Sequence, residues 1–168
     1  AWGADADAMA RAVVQPNSPG LAEVGEAFGP DCFTPKGELD RAWVAQRVFE
    51  DPEARTTLEK IIHPRVGQAV QDEVGRAMAE GAPLFVYDVP LLNEKHLQDG
   101  FQDVIVVNAS LDVRRARVAA RDGMSAEDFD ARCRAQLPLD EKVARADHVI
   151  ENDGTLEALD AAIDAVWS

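Results

Sequence analysis

The sequence predicts an α/β fold: a mostly parallel sheet flanked by helices. Two β-branched apolar runs, PLFVYDVPLL (83–92) and FQDVIVVNA (101–109), interrupt a chain otherwise patterned at helical spacing. HVIEN (148–152) is a third run of the same kind. Helical segments separate these runs, and strands alternating with helices pair in parallel. The runs are apolar at successive positions, so they read as strands buried on both faces.

In chain order, GADADAMAR (3–11) comes first. Asp5 and Asp7 straddle one alanine, and Arg11 follows four residues after Asp7. Period-two spacing places both acids on one face of a strand end, with the arginine one helical turn further on. PNSPG (16–20) is a turn cluster, and Pro30, Pro35 and Gly37 punctuate the next stretch. Between them LAEVGEAF (21–28) reads as a short amphipathic helix. ELDRAWVAQRVFE (38–50) follows, with Leu39, Trp43, Val44 and Val48 at helical spacing, and Trp43 and Phe49 assigned to the core. Asp51-Pro52-Glu53 is an N-cap followed by proline at the first helical position.

That helix carries Leu58, Ile61 and Ile62 before His63-Pro64, where the proline is expected to break or kink it. VGQAVQDEVGRAM (66–78) continues with Val66, Val70, Val74 and Met78 on one stripe, and Gly81 supplies its stop. Residues 17–80 therefore read as a helical insertion between two strands. After the strand runs, Ser110 caps a helix bearing Arg114, Arg115, Arg117 and Arg121. Ser125 to Asp128 fits a capping box opening a helix with Arg132 and Arg134. Thr155 caps the closing helix to Trp167.

Composition narrows the function classes. With 17 basic against 31 acidic residues the formal charge is −14, which argues against nucleic-acid and anionic-membrane partners. No apolar run approaches the roughly 20 residues that span a bilayer. Cys32 and Cys133 lie far apart with no metal-ligand spacing, so a reducing, cytoplasmic setting is expected, with both thiols as buried spectators.

Ligands of open parallel sheets bind beyond the carboxyl ends of the strands. Three polar features fall there: Asp5-Ala6-Asp7 with Arg11, Asp88 before Pro90, and Glu151-Asn152-Asp153-Gly154. Each is also ordinary turn and cap chemistry. The arginines at 114, 115, 117, 121, 132 and 134 concentrate positive charge in an acidic chain. They read either as a solvated face paired to Glu127, Asp128 and Asp130 or as a lid that clamps phosphates, and their density favours the lid.

Taken together, DADAMAR, FGPDCFTPKGELDR, VFEDPEARTTLEKIIHPRV, VYDVPLLNE, DVIVVNAS and RVAARDGMSAEDFDARCRAQLPLDEKVARADHVIENDGT resemble the dephospho-coenzyme A kinase family over nearly the whole chain. The resemblance implies a P-loop NTPase fold like that of the nucleoside monophosphate kinases. It divides the chain into a nucleotide-binding core (1–14, 83–118 and 143–168), a helical coenzyme A domain (15–82) and a lid (119–142). It implies ATP-dependent phosphorylation of the ribose 3′-hydroxyl of dephospho-coenzyme A, the last step of coenzyme A synthesis, with Mg²⁺.

By matching position, Asp7 would be the general base, and Asp5 would organise Mg²⁺ and its waters or orient Asp7. Arg11, His63 and Pro64 would meet the acceptor substrate, and Asp88, Pro90 and Leu91 would shape its pocket. Arg117, Arg121 and Arg132 would face ATP from the lid, with Asn152 near the adenine.

The family's phosphate loop, G-x4-G-K-[ST], is found nowhere in these 168 residues. The expectation is therefore a kinase whose N-terminal strand and loop lie outside the sequence, and whose residues 1–168 by themselves give no turnover. Two other readings stay open: a non-catalytic relative that binds dephospho-coenzyme A or coenzyme A, and an acidic α/β interaction domain. The motif series speaks against the last.

Overall fold

A computed structural model describes residues 1–167 and resolves the chain into two compact units, Ala1–Pro90 and the residues from Leu91 onward. The first unit contains β1 (Trp2–Asp5), α1 (Ala6–Ala12), α2 (Pro19–Phe28), α3 (Arg41–Glu50), α4 (Pro52–Ala79) and β2 (Phe85–Asp88). β1 and β2 pair in parallel, from Trp2 opposite Phe85 to Asp5 opposite Asp88, so the helices between them form the expected insertion. The second unit contains β3 (Ile105–Asn108), α5 (Leu111–Asp122), α6 (Ala126–Arg134), α7 (Leu139–Val143), β4 (His148–Glu151) and α8 (Leu156–Trp167). β3 and β4 are also parallel, from Ile105 opposite His148 to Asn108 opposite Glu151.

Local sequence sets the helix starts. Ser18 Oγ accepts the Leu21 N–H at 3.1 Å and donates to the Val13 carbonyl, so α2 begins inside the predicted turn cluster. Asp40 Oδ1 accepts from Trp43 N–H, which starts α3 three residues later than the sequence pattern indicates. Asp51 Oδ1 accepts from both Glu53 and Ala54, with Pro52 next in the chain, as expected. α4 ends with Gly81 at φ +66, Gly81 N–H on the Met78 carbonyl and Ala82 N–H on the Ala77 carbonyl. These two bonds satisfy carbonyls that a helix end leaves open.

The core of the first unit is Val14, Val24, Cys32, Val44 and Ile61, enclosed by partly buried Phe28, Phe33, Trp43 and Leu58. Gly20 is required where α2 meets the end of α1: a Cβ there would stand 2.2 Å from the Val13 carbonyl oxygen.

Several expectations are corrected. Pro64 does not break α4, which runs unbroken for 28 residues. Proline removes the bond to the carbonyl four residues earlier and crowds that turn. The carbonyl left without that bond is that of Lys60, an exposed residue, and the packed Ile61 side chain beside it holds the turn in place.

Phe49 is 83% exposed rather than buried, because Val44 and Val48 define the inner face of α3 and the next position turns away. Met78 is exposed and Ala77 is buried in its stead. A strict four-residue stripe drifts about 40° per step around a 3.6-residue helix, and three steps carry it off the packed face.

The strands are four residues each, shorter than the apolar runs, and pair two by two among the described residues. They are not buried on both faces: Val86, Val107 and Val149 are exposed, each on a strand with a single partner strand among the described residues. Ser110 precedes α5 without capping it; its hydroxyl donates to Asp153 instead. Ser125 does cap α6, accepting the Asp128 N–H, and Thr155 Oγ1 accepts the Ala158 N–H at the start of α8. α7, which the sequence reading missed, is too short for periodicity to register. No helix among the described residues is long and apolar enough to cross a membrane.

Candidate functional site

In the first unit the β1–α1 junction places the acids. Asp5 closes β1 and caps α1: its Oδ1 accepts the Ala8 N–H at 2.9 Å, leaving Oδ2 available. Asp88 closes β2 directly opposite Asp5 in register, so two carboxylate residues end adjacent parallel strands. Asp7 stands exposed in the first turn of α1 and Arg11 exposed in its last turn. Neither takes part in an ion pair among the described residues, so both heads are uncommitted.

His63 and Pro64 are exposed on α4, the helix that packs against α1 and β1. Trp2 fixes part of that packing, its indole Nε1 donating to Glu73 Oε2 at 3.0 Å.

Tyr87 was missed by sequence reasoning. It is half-buried one residue before Asp88, and burial, then the negative charges of Asp5 and Asp7, push its hydroxyl pKa up. It is the only tyrosine in the chain, and it precedes a strand-end acid; that juxtaposition was the available signal.

In the second unit Arg117 and Asn152 are brought together, Arg117 Nη1 donating to the Asn152 backbone carbonyl at 2.7 Å. Asp153 accepts from the Ser110 N–H and hydroxyl, which lowers its carboxyl pKa and fixes the loop after β4. Arg121 grips Asp122 through two 2.7 Å bonds, while Arg132 lines an open cavity of about 620 Å³ with Asp122, Met124 and Asp128.

The arginine set therefore divides. Arg115 bonds Asp130 at 2.8 Å and lies over the Phe129 ring, so it ties α5 to α6. Arg117, Arg121 and Arg132 are solvent-exposed.

Leu91 and Pro90 are exposed, Leu91 opening the turn that follows β2. Cys32 is fully buried and its thiol is pushed up by that burial, whereas Cys133 is only half-buried. No cluster of three or more metal-binding side chains occurs among the described residues. A carboxylate with a free oxygen at Asp5 suits Mg²⁺, which keeps most of its waters and takes one or two carboxylates beside substrate phosphates.

A family profile described as Dephospho-CoA kinase matches residues 3–158. The chain belongs to the dephospho-CoA kinase family. A dephospho-CoA kinase of Anaeromyxobacter dehalogenans is 51% identical over 155 residues, 92% of this chain and 74% of the relative. The Thermobifida fusca dephospho-CoA kinase is 44% identical over 163 residues, 97% of this chain and 80% of the relative.

Among solved structures, a Thermus thermophilus protein superposes with a TM-score of 0.85 at 39% identity, covering 99% of this chain and 83% of its own. Dephospho-CoA kinase from Campylobacter jejuni gives a TM-score of 0.69 with the same coverages; at 23% identity it supports the fold alone. Membership in the dephospho-CoA kinase family makes the chain one of the ATP-dependent kinases with an alcohol acceptor.

Proposed function

We propose that this protein transfers the γ-phosphoryl group of ATP to the ribose 3′-hydroxyl of dephospho-CoA, giving CoA and ADP. The observation that carries the proposal is the β1–α1 junction. It sets an uncommitted Asp7 and an uncommitted Arg11 on one short helix, beside the strand-end pair Asp5 and Asp88. Asp7 accepts a hydrogen bond from the attacking hydroxyl and takes its proton as the new P–O bond forms and the bond to ADP breaks. Phosphoryl transfer has a loose transition state, so positioning the hydroxyl matters more than early proton removal.

Arg11 offers a fixed fork of donors to an anionic group of the acceptor; His63 and Pro64 on α4, Asp88 at the end of β2, and Pro90 and Leu91 beyond it are the other residues assigned to that substrate. Arg117, Arg121 and Arg132 serve the ATP phosphates, and Asn152 the adenine. Mg²⁺, when bound, supplies charge neutralisation at the phosphoryl oxygens, and Asp5 is the side chain that would hold its water shell.

The same reading assigns a P-loop NTPase fold and a cytoplasmic setting. The test is product identification: the full-length protein, ATP, Mg²⁺ and dephospho-CoA, followed by mass spectrometry of the CoA product and location of the new phosphate. Formation of CoA phosphorylated at the ribose 3′ position is expected. ATP hydrolysis without CoA, or CoA binding without turnover, would overturn the proposal.

A further inference from the structure

The segment after β2 is built around an acid that the proposed chemistry does not use. Residues 91–97 form a tight turn: Lys95 N–H bonds the Leu91 carbonyl, His96 N–H the Asn93 carbonyl and Leu97 N–H the Leu92 carbonyl. His96 sits in the left-handed region at φ +54, and Asn93 is only 5% exposed. From this turn Glu94 reaches two separate elements. Its Oε1 accepts from Lys142 Nζ at 2.6 Å, on α7, and from the Leu137 N–H at 3.0 Å, in the connection between α6 and α7.

Both side chains of the ion pair are partly buried, at 19% and 13% exposure for Glu94 and Lys142. Burial pushes the Glu94 carboxyl pKa up, yet the Lys142 ammonium and backbone N–H donors at Glu94 and Leu137 outweigh it and leave it lowered. α7 is itself seated on β3.

We infer that Glu94 and Lys142 are a positioning pair, a partly buried ionic clamp that fixes the Leu91-bearing turn to α7 and to the C-terminal root of the arginine-bearing helix α6. Two features separate it from a surface ion pair. Partial shielding from solvent makes loss of Lys142 costly, because it removes the cation that faces the Glu94 carboxylate. The shared Oε1 also joins three segments at one atom, so the turn and the α6–α7 connection are held in one geometry. The turn is covalently continuous with Asp88 and Pro90, and α6 carries Arg132. Within the second unit the clamp thus sets the Leu91-bearing turn and the root of the Arg132-bearing helix. This inference rests on the proposed kinase reaction.

The test uses full-length protein and steady-state kinetics with ATP and dephospho-CoA each varied. Glu94→Gln and Lys142→Met are expected to lower kcat about tenfold or more and to raise the KM for dephospho-CoA, with Lys142→Arg restoring much of the loss. To separate the clamp from the cost of one unpaired charge on folding, the double variant Glu94→Gln/Lys142→Met removes both charges together. Folded by circular dichroism, it is expected to keep the kcat deficit. A folded double variant with wild-type kcat and KM, shifted only in melting temperature, would overturn the inference. Absence of activity in the unaltered protein would instead overturn the reaction on which it rests.

Discussion

Pro64→Ala offers a quantitative test of how the long helix is built. Pro64 lies exposed inside α4, far from either end. A proline in a helix interior costs about 3 kcal/mol relative to alanine, because a hydrogen bond is lost and the ring crowds the preceding turn. Part of that cost is already relieved here, because the carbonyl that loses its partner belongs to exposed Lys60, where water can serve it, and Ile61 anchors the turn in the core. The substitution is therefore expected to stabilise the protein by about 1–2 kcal/mol. Urea unfolding, followed by circular dichroism, reads this as a higher midpoint at unchanged slope. If Pro64 also meets the acceptor, the same variant shows a raised KM for dephospho-CoA. A lower midpoint would refute the reasoning, since it would mean that the proline conformation is built into the packing of α4.

Two further outcomes follow from burial and charge. Ile61→Ala, in the helical core, is expected to cost about 3 kcal/mol through lost transfer energy and a residual cavity, seen as a lower urea midpoint. The lowered pKa of Glu94 gives a pH dependence of definite sign. The carboxylate stabilises the fold above its unfolded pKa of about 4.3, and that contribution is lost as pH falls through the lower folded value. Thermal melts from pH 6 to pH 3 are expected to lose stability more steeply in the unaltered protein than in Glu94→Gln, and equal slopes would contradict the assignment.

The legible parts of the fold were those with local causes. Capping residues at Asp51, Ser125 and Thr155, the left-handed stop at Gly81 and the β-branched runs all act within a few residues, and the structure keeps them. The parallel pairing of β1 with β2 followed from the helices between them. What escaped was tertiary: Pro64 is tolerated because its turn is anchored by buried Ile61, and Phe49 faces outward because Val44 and Val48 choose the face.

The site was legible in the same uneven way. Asp5 and Asp88 sit at strand ends as their positions in sequence required, and their register is a backbone fact. Tyr87 and the Glu94–Lys142 pair depend on partners brought together by folding, which no spacing rule contains. The six arginines looked alike in sequence; only the positions of Asp130 and Phe129 single out Arg115 as a structural tie.

The central claim is that Asp7 orients and deprotonates the attacking 3′-hydroxyl. Its most direct test is the kcat of full-length Asp7→Asn for ATP-dependent CoA formation, alongside its melting temperature. Asp7 is exposed and takes part in no ion pair among the described residues, so the melting temperature is expected to stay within a degree or two. kcat is expected to fall by about 10²–10³, toward the lower end of general-base effects because the transition state is loose. A folded Asp7→Asn protein with unchanged kcat would contradict the account.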